Sequence, residues 1–130
     1  MAVVGIGIDL VRISRIKKMM ERWNGRFLDR VFSSREKAYC LQMHLPYIHL
    51  SGRFAIKEAV MKALGTGLRS GIRWKEIETL RGPSGQPQVR LLGTAYKKAA
   101  GLGVAEIFCS ISHDVDYAVG QVVLEGSPKP

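Results

Sequence analysis

Two carboxylates stand out in this sequence because of the residues beside them. Asp9 ends the segment GIGID, so in an extended strand it shares a face with two glycines, which leave room for a neighbouring group. Glu58 lies in the segment RFAIKEAVMKALGTGL, directly after Lys57 and four residues before Lys62. Mg²⁺ keeps several of its waters and takes only one or two protein carboxylates, so Asp9 and Glu58 could hold this ion against a diphosphate.

Basic residues and glycines around Glu58 indicate a phosphorylated ligand. The residues concerned are Arg53, Lys57, Lys62, Gly65, Thr66 and Gly67. The cationic side chains would neutralise phosphate charge, and the amides of the Gly-Thr-Gly turn would lie close to the ligand. Two simpler interpretations stay open: Glu58 and Lys62 form only a surface ion pair worth about 0.3–0.5 kcal/mol, and Asp9 only caps or turns the chain.

The first half of the chain reads as one strand followed by three helices. Alternation predicts the strand over residues 2–11. The helices are predicted over residues 14–24, with one further turn to Phe27 as an alternative, over residues 34–43 and over residues 51–64. Gly25 is expected to end the first helix. Ser33 and Glu36 have the spacing of a capping box, so we assign Glu36 a structural role and no chemistry.

Two of these helices have an apolar face at helical spacing. In the first helix the face comprises Ile13, Ile16, Met20, Trp23 and Phe27. In the third helix it comprises Ile56, Ala59, Val60, Ala63 and Leu64. Such a stripe is typical of a helix that packs on a protein core, so these side chains are predicted to be buried.

The second half of the chain reads as a hairpin, a helix and a second hairpin. The first hairpin turns at GPSG, the helix lies in TAYKKAAGLG between Thr94 and Gly101, and the second hairpin turns at residues 113–116. This order predicts an α+β fold with mostly antiparallel strands rather than a doubly wound sheet. We expect a single domain over residues 1–125 and a flexible tail over residues 126–130.

Composition narrows the partners and the compartment. The chain has 130 residues and a formal net charge of +9, which favours anionic partners. Its N-terminal segment lacks the basic start of a signal peptide, and no apolar run reaches the 18 residues typical of a membrane span. We therefore expect a protein that does not bind a membrane. Cys40 and Cys109 have no metal or redox spacing, which is typical of free thiols in the reducing cytoplasm. A chain this short often builds its active site between subunits.

One group of basic residues suggests a macromolecular partner. Arg15, Lys18, Arg22 and Arg26 follow each other at spacings of three, four and four. A solvated helix face is the simpler interpretation, but four like charges on one face repel each other, which favours an acidic partner. A nucleic-acid-binding module is the rival hypothesis. It is not favoured, because such modules expose aromatic residues among their basic ones, whereas the aromatic residues here are predicted at core or pocket positions.

Three segments together resemble one known family. GIGIDLVRISRI, GRFAIKEAVMKALGTGL and SISHDVDYAVGQVV are similar, in order and approximate spacing, to the signature regions of the holo-acyl-carrier-protein synthase family of 4′-phosphopantetheinyl transferases. The resemblance spans nearly the whole chain and implies the fold of that family, with helices packed on a mostly antiparallel sheet. Ile56 departs from the small residue usual in the family, and it lies on the predicted core face.

The resemblance also implies a reaction. The 4′-phosphopantetheine arm moves from coenzyme A to a serine of an apo acyl carrier protein, in fatty acid biosynthesis, and adenosine 3′,5′-bisphosphate is released. Asp9 and Glu58 would hold Mg²⁺, or alternatively Mn²⁺, and Lys62 would stabilise charge as the diphosphate bond breaks. The general base stays open between a metal-bound water and a water held by a carboxylate.

Further residues acquire roles from the same resemblance. Arg53, Ser112 and His113 would face coenzyme A phosphates, although His113 could instead be a turn residue satisfied by Asp114 or Asp116. The four basic residues of the first helix would dock an acidic helix of the carrier protein. The family is known as a homotrimer with each site shared by adjacent subunits. A noncatalytic carrier-binding subunit is the remaining alternative, but such a protein would lack Asp9 or Glu58.

Overall fold

The computed structural model describes residues 1–23, 25–67 and 70–129. The first half contains strand β1 (Ala2–Arg12) and helices α1 (Ile13–Trp23), α2 (Gly25–Val31), α3 (Ser34–Leu41) and α4 (Pro46–Ala63). The second half contains a 3₁₀ turn (Trp74–Glu76), β2 (Ile77–Arg81), β3 (Pro87–Leu91), α5 (Gly93–Gly101), β4 (Val104–His113) and β5 (Tyr117–Gly126). The predicted α+β order is confirmed.

The strands form two antiparallel sheets. The larger sheet has the order β1-β5-β4, and the smaller one is the hairpin of β2 and β3. Both predicted hairpins are therefore present, and the first strand pairs with the last, which places Asp9 opposite Gly120. Helix α4 packs on one face of the larger sheet and contacts both β1 and β5. No helix in the described part of the chain is long and apolar enough to cross a bilayer.

Glycines on β1 and β5 allow the sheet to lie directly on the backbone of α4. A Cβ atom added at Gly5 would overlap the carbonyl oxygen of Ala63, and one added at Gly7 would overlap that of Ala59. On the neighbouring strand, a Cβ at Gly120 would press against the backbone of α4 in the same way. The two glycines of GIGID therefore serve close packing of a strand on a helix.

The core lies on both sides of α4. On the sheet side it includes Ile56, Val60, Leu64, Ile77 and Val122. On the side of the other helices it includes Ile16, Phe27, Phe32, Leu50 and Phe54. The predicted apolar face of α4 is confirmed, with Ala63 half-buried and the other four residues buried, and Ile56 is accommodated in the core without exposure.

The bounds of several elements differ from the predicted ones. Helix α4 begins at Pro46 instead of Ser51, because proline suits the first turn of a helix, where its missing N–H has no partner to lose. Gly25 opens α2 instead of ending α1, so the helical spacing does not continue from one helix to the next. Trp23 consequently is 46% exposed instead of buried.

The last strand extends one residue into the predicted tail. Gly126, the first residue of the predicted tail, is the last residue of β5, and the Ser127 amide donates a hydrogen bond to the Gly103 carbonyl at 3.0 Å. Asn24, the predicted end of the first helix, and Pro130, the last residue of the predicted tail, lie outside the described residues. The capping box of Ser33 and Glu36 is present as predicted.

We predict that Gly7→Ala destabilises the protein strongly. The added methyl group would collide with the Ala59 carbonyl, so the strand and α4 must separate, and overpacking of this kind costs about 1–3 kcal/mol or more. Gly101→Ala is the matched control, because a Cβ at the end of α5 meets nothing within 4 Å. Chemical denaturation would measure both variants. Equal stabilities of the two would contradict the close contact.

Candidate active site

Asp9, Glu58 and Lys62 converge where β1 crosses α4. Asp9 extends from the glycine face of the strand, while Glu58 and Lys62 come from successive turns of the helix. The Lys62 ammonium lies 2.9 Å from Oδ1 of Asp9 and 3.0 Å from the carbonyl oxygen of Ile8, to which it donates a hydrogen bond. Lys62 therefore pairs with Asp9, and the alternative of an ion pair with Glu58 is not realised.

Glu58 lies in an environment that disfavours its charge. Its burial raises the pKa of the carboxyl, and the negative charge of Asp9 raises it further. Lys62 and Arg15 act in the opposite direction but do not cancel these effects. Two neighbouring carboxylates with one nearby ammonium thus leave a site that would gain from a further cation.

The carboxylate pair fits Mg²⁺ better than a softer metal. Among the described residues, no group of three or more histidine, cysteine, aspartate or glutamate side chains is placed to hold a metal ion. A zinc site needs such a group, whereas Mg²⁺ takes one or two protein carboxylates and fills its remaining positions with water and phosphate oxygens. The two carboxylates of Asp9 and Glu58 match that number of protein ligands.

A pocket of about 510 Å³ opens beside Glu58. Its floor includes the rings of Phe54 and Trp74, which stack with their centroids 5.1 Å apart and their planes inclined by 24°. The remaining lining residues are Arg15, Met19, Trp23, Arg26, Phe27, Arg30 and Val31. A polar substrate with an apolar segment would therefore find an aromatic surface and several arginines next to the carboxylates.

The four basic residues predicted as one stripe lie on two helices. Arg15, Lys18 and Arg22 are exposed on α1, whereas Arg26 is exposed on α2. The prediction of a single continuous helix face is thus wrong, because the first helix ends before Arg26. The fold nevertheless brings them together, since Arg15 and Arg26 both line the pocket beside Glu58, and Arg15 also lines a second pocket with Lys18 and Arg22.

A second basic cluster surrounds Arg53. This residue is 8% exposed, its Nη1 donates only a long hydrogen bond of 3.4 Å to the His49 carbonyl, and its buried Nε has no partner among the described residues. The guanidinium lies 4.5 Å from the ring centroid of Tyr39. Burial lowers the pKa of His49, and the nearby charges of Arg53 and His113 lower it further. His49 therefore lies within electrostatic range of both Arg53 and His113.

Lys57 does not belong to this surface. It is completely buried, and its ammonium donates hydrogen bonds to Oε1 of Glu36 at 2.8 Å, to the Trp74 carbonyl at 3.0 Å and to the Ile77 carbonyl. All three of its donors are occupied within the core. The structure thus corrects the prediction that Lys57 neutralises phosphate charge, since one step along a helix turns a side chain by about 100° away from Glu58.

The Gly-Thr-Gly turn largely serves to end α4. The Gly65 amide donates to the Lys62 carbonyl at 3.0 Å and the Thr66 amide to the Met61 carbonyl at 2.9 Å, while Gly65 has a φ of +70°. These bonds cap the helix, so the first two amides are not free for a ligand. Only Gly67 retains the predicted possibility of a backbone contact with phosphate.

Sequence reasoning missed several residues of this site. Trp74, Arg30 and Met19 line the pocket although they carry no motif, and His49 lies beside Arg53 although its sequence neighbours suggest nothing. Ser112 and His113 lie at the end of β4 and are exposed, as expected for residues at a strand end. His49 precedes Arg53 by one helical turn, so helical spacing identifies it once α4 is known to begin at Pro46. Trp74 is identified only by contacts between distant segments.

Comparison with known proteins identifies the class of protein to which this fold and site belong. Residues 5–122 match the 4′-phosphopantetheinyl transferase superfamily, and the chain belongs to that superfamily. Curated relatives include the holo-[acyl-carrier-protein] synthases of Natranaerobius thermophilus and Desulfovibrio desulfuricans. The first is 43% identical over 94% of this chain and 97% of its own length, and the second is 46% identical over 95% and 98%.

Solved structures of such synthases have the same fold. The enzyme of Bacillus anthracis in complex with coenzyme A (3′,5′-ADP) has a TM-score of 0.80 and 32% identity, and the match covers 98% of this chain and all of that chain. The enzyme of Neisseria meningitidis has a TM-score of 0.85 and 31% identity over 95% and 98% of the two chains. The resemblance inferred from the three sequence segments is thus confirmed.

Proposed function

We propose that this protein transfers the 4′-phosphopantetheine group from coenzyme A to a serine of an apo acyl carrier protein. The observation that carries the proposal is the convergence of Asp9, Glu58 and Lys62 in a chain of this superfamily. Support also comes from the Bacillus anthracis and Helicobacter pylori synthases, whose structures contain coenzyme A. We place the reaction in fatty acid biosynthesis in the cytoplasm.

The reaction is a displacement at phosphorus. The serine oxygen of the carrier forms a bond to the phosphorus that bears the pantetheine arm, and the bond from that phosphorus to the bridging oxygen of the diphosphate breaks. Adenosine 3′,5′-bisphosphate leaves with the bridging oxygen, and the serine proton passes to a water at the site. Such a transfer needs positioning and charge neutralisation more than covalent help from the protein.

Asp9 and Glu58 would hold Mg²⁺, with Mn²⁺ as a possible substitute. When bound, the ion would neutralise charge on the diphosphate. Lys62 carries a compact charge on a flexible chain, and 55% of its side chain is exposed. It would therefore turn from Asp9 to the diphosphate and stabilise the negative charge on the leaving group.

Arg53 and His113 would bind other phosphate oxygens of coenzyme A, together with Ser112 and the Gly65-Thr66-Gly67 turn. A guanidinium buried with only one long hydrogen bond is costly, so an anion beside Arg53 would be stabilising. Within this group the turn offers mainly the Gly67 backbone and the Thr66 hydroxyl. Arg53 lies near the middle of α4 and the turn follows its C-terminal end, so these groups would bind coenzyme A at two places about 15 Å apart along the helix.

The carrier protein would dock on α1 and α2. Arg15, Lys18, Arg22 and Arg26 are exposed beside the pocket that leads to Glu58, and an acidic helix on these residues would bring its serine to the carboxylates. Lys18 and Arg22 line a smaller pocket of about 310 Å³ farther along α1. Exposed charges act mainly on the rate of encounter, so association should depend on salt.

The outer face of the larger sheet supports a homotrimer. It carries the exposed apolar side chains Ile6, Ile8, Leu10 and Phe108. In the sheet register Ser112 lies opposite Val119, which in turn pairs with Leu10, so one predicted substrate-binding residue shares this face. A contiguous apolar face of this kind is typical of an interface, and subunits packed on it would have sites at their boundaries.

We predict that Asp9→Asn and Glu58→Gln each reduce the transfer rate by about 100-fold or more, because each removes charge that holds the metal ion. Transfer is measured as the mass gain of one phosphopantetheine on an apo carrier protein with coenzyme A and Mg²⁺. Asp29→Asn, which removes an exposed carboxylate paired with Lys37, is the isosteric control.

The stability of the Glu58→Gln variant distinguishes a loss of catalysis from a folding defect. The pKa of Glu58 is raised in the folded protein, so its ionised form opposes folding once the pH exceeds the unfolded value. Glu58→Gln should therefore be at least as stable as the wild type at pH 7, and this advantage should disappear at low pH. A variant that keeps the wild-type rate would show that its carboxylate is structural.

We predict that reversing Lys18 and Arg22 to Glu raises the KM for the carrier protein severalfold and weakens its salt dependence, while the KM for coenzyme A stays unchanged. Lys97→Glu with Lys98→Glu on α5 changes the net charge equally and is the matched control. Steady-state kinetics at several salt concentrations would measure both. An equal effect of the two double variants would mean that only net charge matters and would exclude a docking site on α1.

We predict that Ile8→Asp converts the protein to monomers and removes most of its activity, because a charge in an apolar interface has no partner. Leu41→Asp is the control, since Leu41 is also exposed but lies on α3, on the helical side of the molecule. Light scattering gives the mass of each variant. A wild-type protein that is monomeric and fully active would contradict the trimer.

A further inference from the structure

A buried ion pair links four parts of the fold directly behind the active site. Lys57 and Glu36 are both completely enclosed, with 0% of either side chain exposed. Besides its bond to Lys57, Glu36 accepts the Ser33 amide at 3.0 Å on Oε1 and the Thr79 amide at 3.0 Å on Oε2. The pair therefore connects α3 and α4 with β2 and the 3₁₀ turn before it.

The contacts of Lys57 are directional. An ammonium has three donors, and here they reach Glu36, the Trp74 carbonyl and the Ile77 carbonyl. A well-packed apolar side chain often stabilises a core as well as a buried ion pair does. It could not, however, hold a backbone carbonyl in place. The polar pair therefore provides orientation that packing alone would not.

The residue that Lys57 orients belongs to the active-site pocket. The carbonyl oxygen of Trp74 accepts a hydrogen bond from the Lys57 ammonium, while the Trp74 ring stacks on Phe54 and lines the pocket beside Glu58. The other end of the same 3₁₀ turn is tied to α5, since the Thr94 amide donates to Oε2 of Glu76 at 2.9 Å. Lys57 thus joins the tryptophan end of the turn to the helix that carries Glu58.

We propose that Lys57, with Glu36, is a positioning residue that holds the Trp74 ring as one wall of the pocket beside Glu58. The consequence for catalysis rests on the proposed function, in which this pocket receives the carrier protein. In that proposal the coenzyme A diphosphate lies at Asp9, Glu58 and Lys62, and its other phosphate oxygens lie near Arg53 and His113. Lys57 donates hydrogen bonds to none of these residues. Loss of Lys57 should therefore impair the use of the carrier protein and leave coenzyme A binding intact.

Tryptophan fluorescence tests the structural half of the proposal without any substrate. The chain has two tryptophans, so a Trp23→Phe background leaves Trp74 as the sole emitter. In that background Lys57→Met should shift the emission to longer wavelength and increase quenching by acrylamide, because the ring loses its anchor and gains contact with water. Lys37→Met, which breaks the exposed ion pair with Asp29, is the matched control and should change neither quantity.

Steady-state kinetics on the same proteins test the functional half. Relative to the Trp23→Phe protein, Lys57→Met should lower kcat/KM for the carrier protein about 10- to 100-fold, as expected for a displaced wall of the site, with the KM for coenzyme A unchanged. If Lys57→Met does not fold, Glu36→Gln replaces it, because glutamine keeps the length of the side chain and one acceptor oxygen. The same shifts are expected there in the same directions.

Three results would overturn the proposal. Unchanged emission and quenching in the folded variants would mean that Lys57 does not hold Trp74. A displaced ring with normal kinetics would mean that its position is irrelevant to the reaction. A rise in the KM for coenzyme A would mean that Lys57 contributes to phosphate binding. Should the Trp23→Phe protein and the wild type modify no carrier protein, the proposed function fails, while the fluorescence still decides whether Lys57 positions Trp74.

Discussion

The contact between the backbones of β1 and α4 is the constraint on which the rest of the structure depends. Gly5 and Gly7 have no side chains to separate the strand from the helix, so the strand lies against the carbonyl oxygens of Ala63 and Ala59. A larger residue at either glycine would move the strand outward. Because Asp9 follows Gly7 on the same face, the contact also brings its carboxylate to the helix that carries Glu58.

The charges of α4 are sorted by depth around this contact. Lys57 is enclosed in the core with Glu36, Glu58 is half-buried, and Lys62 reaches the surface beside Asp9. Arg53 is buried, and its guanidinium makes only one long hydrogen bond to the His49 carbonyl, so its charge is weakly compensated. The helix thus carries a structural ion pair and a set of incompletely neutralised charges within three turns. The latter are the groups that a metal ion and a diphosphate would satisfy.

The two faces of the larger sheet have different functions. Its inner face combines the glycines of β1 and β5 with apolar residues such as Val122 and Leu124, which pack on α4. Its outer face carries the exposed apolar residues Ile6, Ile8 and Leu10. Antiparallel sheets commonly have one covered apolar face and one polar face in water. Here both faces carry apolar side chains, so the outer face is left to a further subunit in the proposed assembly.

The sequence by itself determined the element types, the hairpins and the conjunction of Asp9, Glu58 and Lys62, because these depend on local periodicity, turn residues and a family motif. Only the tertiary structure decided which of the two lysines, Lys57 or Lys62, lies at the candidate active site. Both are lysines beside Glu58, but the side chain of one meets Glu36, which lies 21 residues away in the chain, and that of the other meets Asp9, 53 residues away. The pocket walls Trp74 and Arg30, and the exposure of Trp23, likewise depend on how distant segments pack. Local sequence patterns carry no information on such contacts, because the free energy of burial is set by the neighbours that folding supplies.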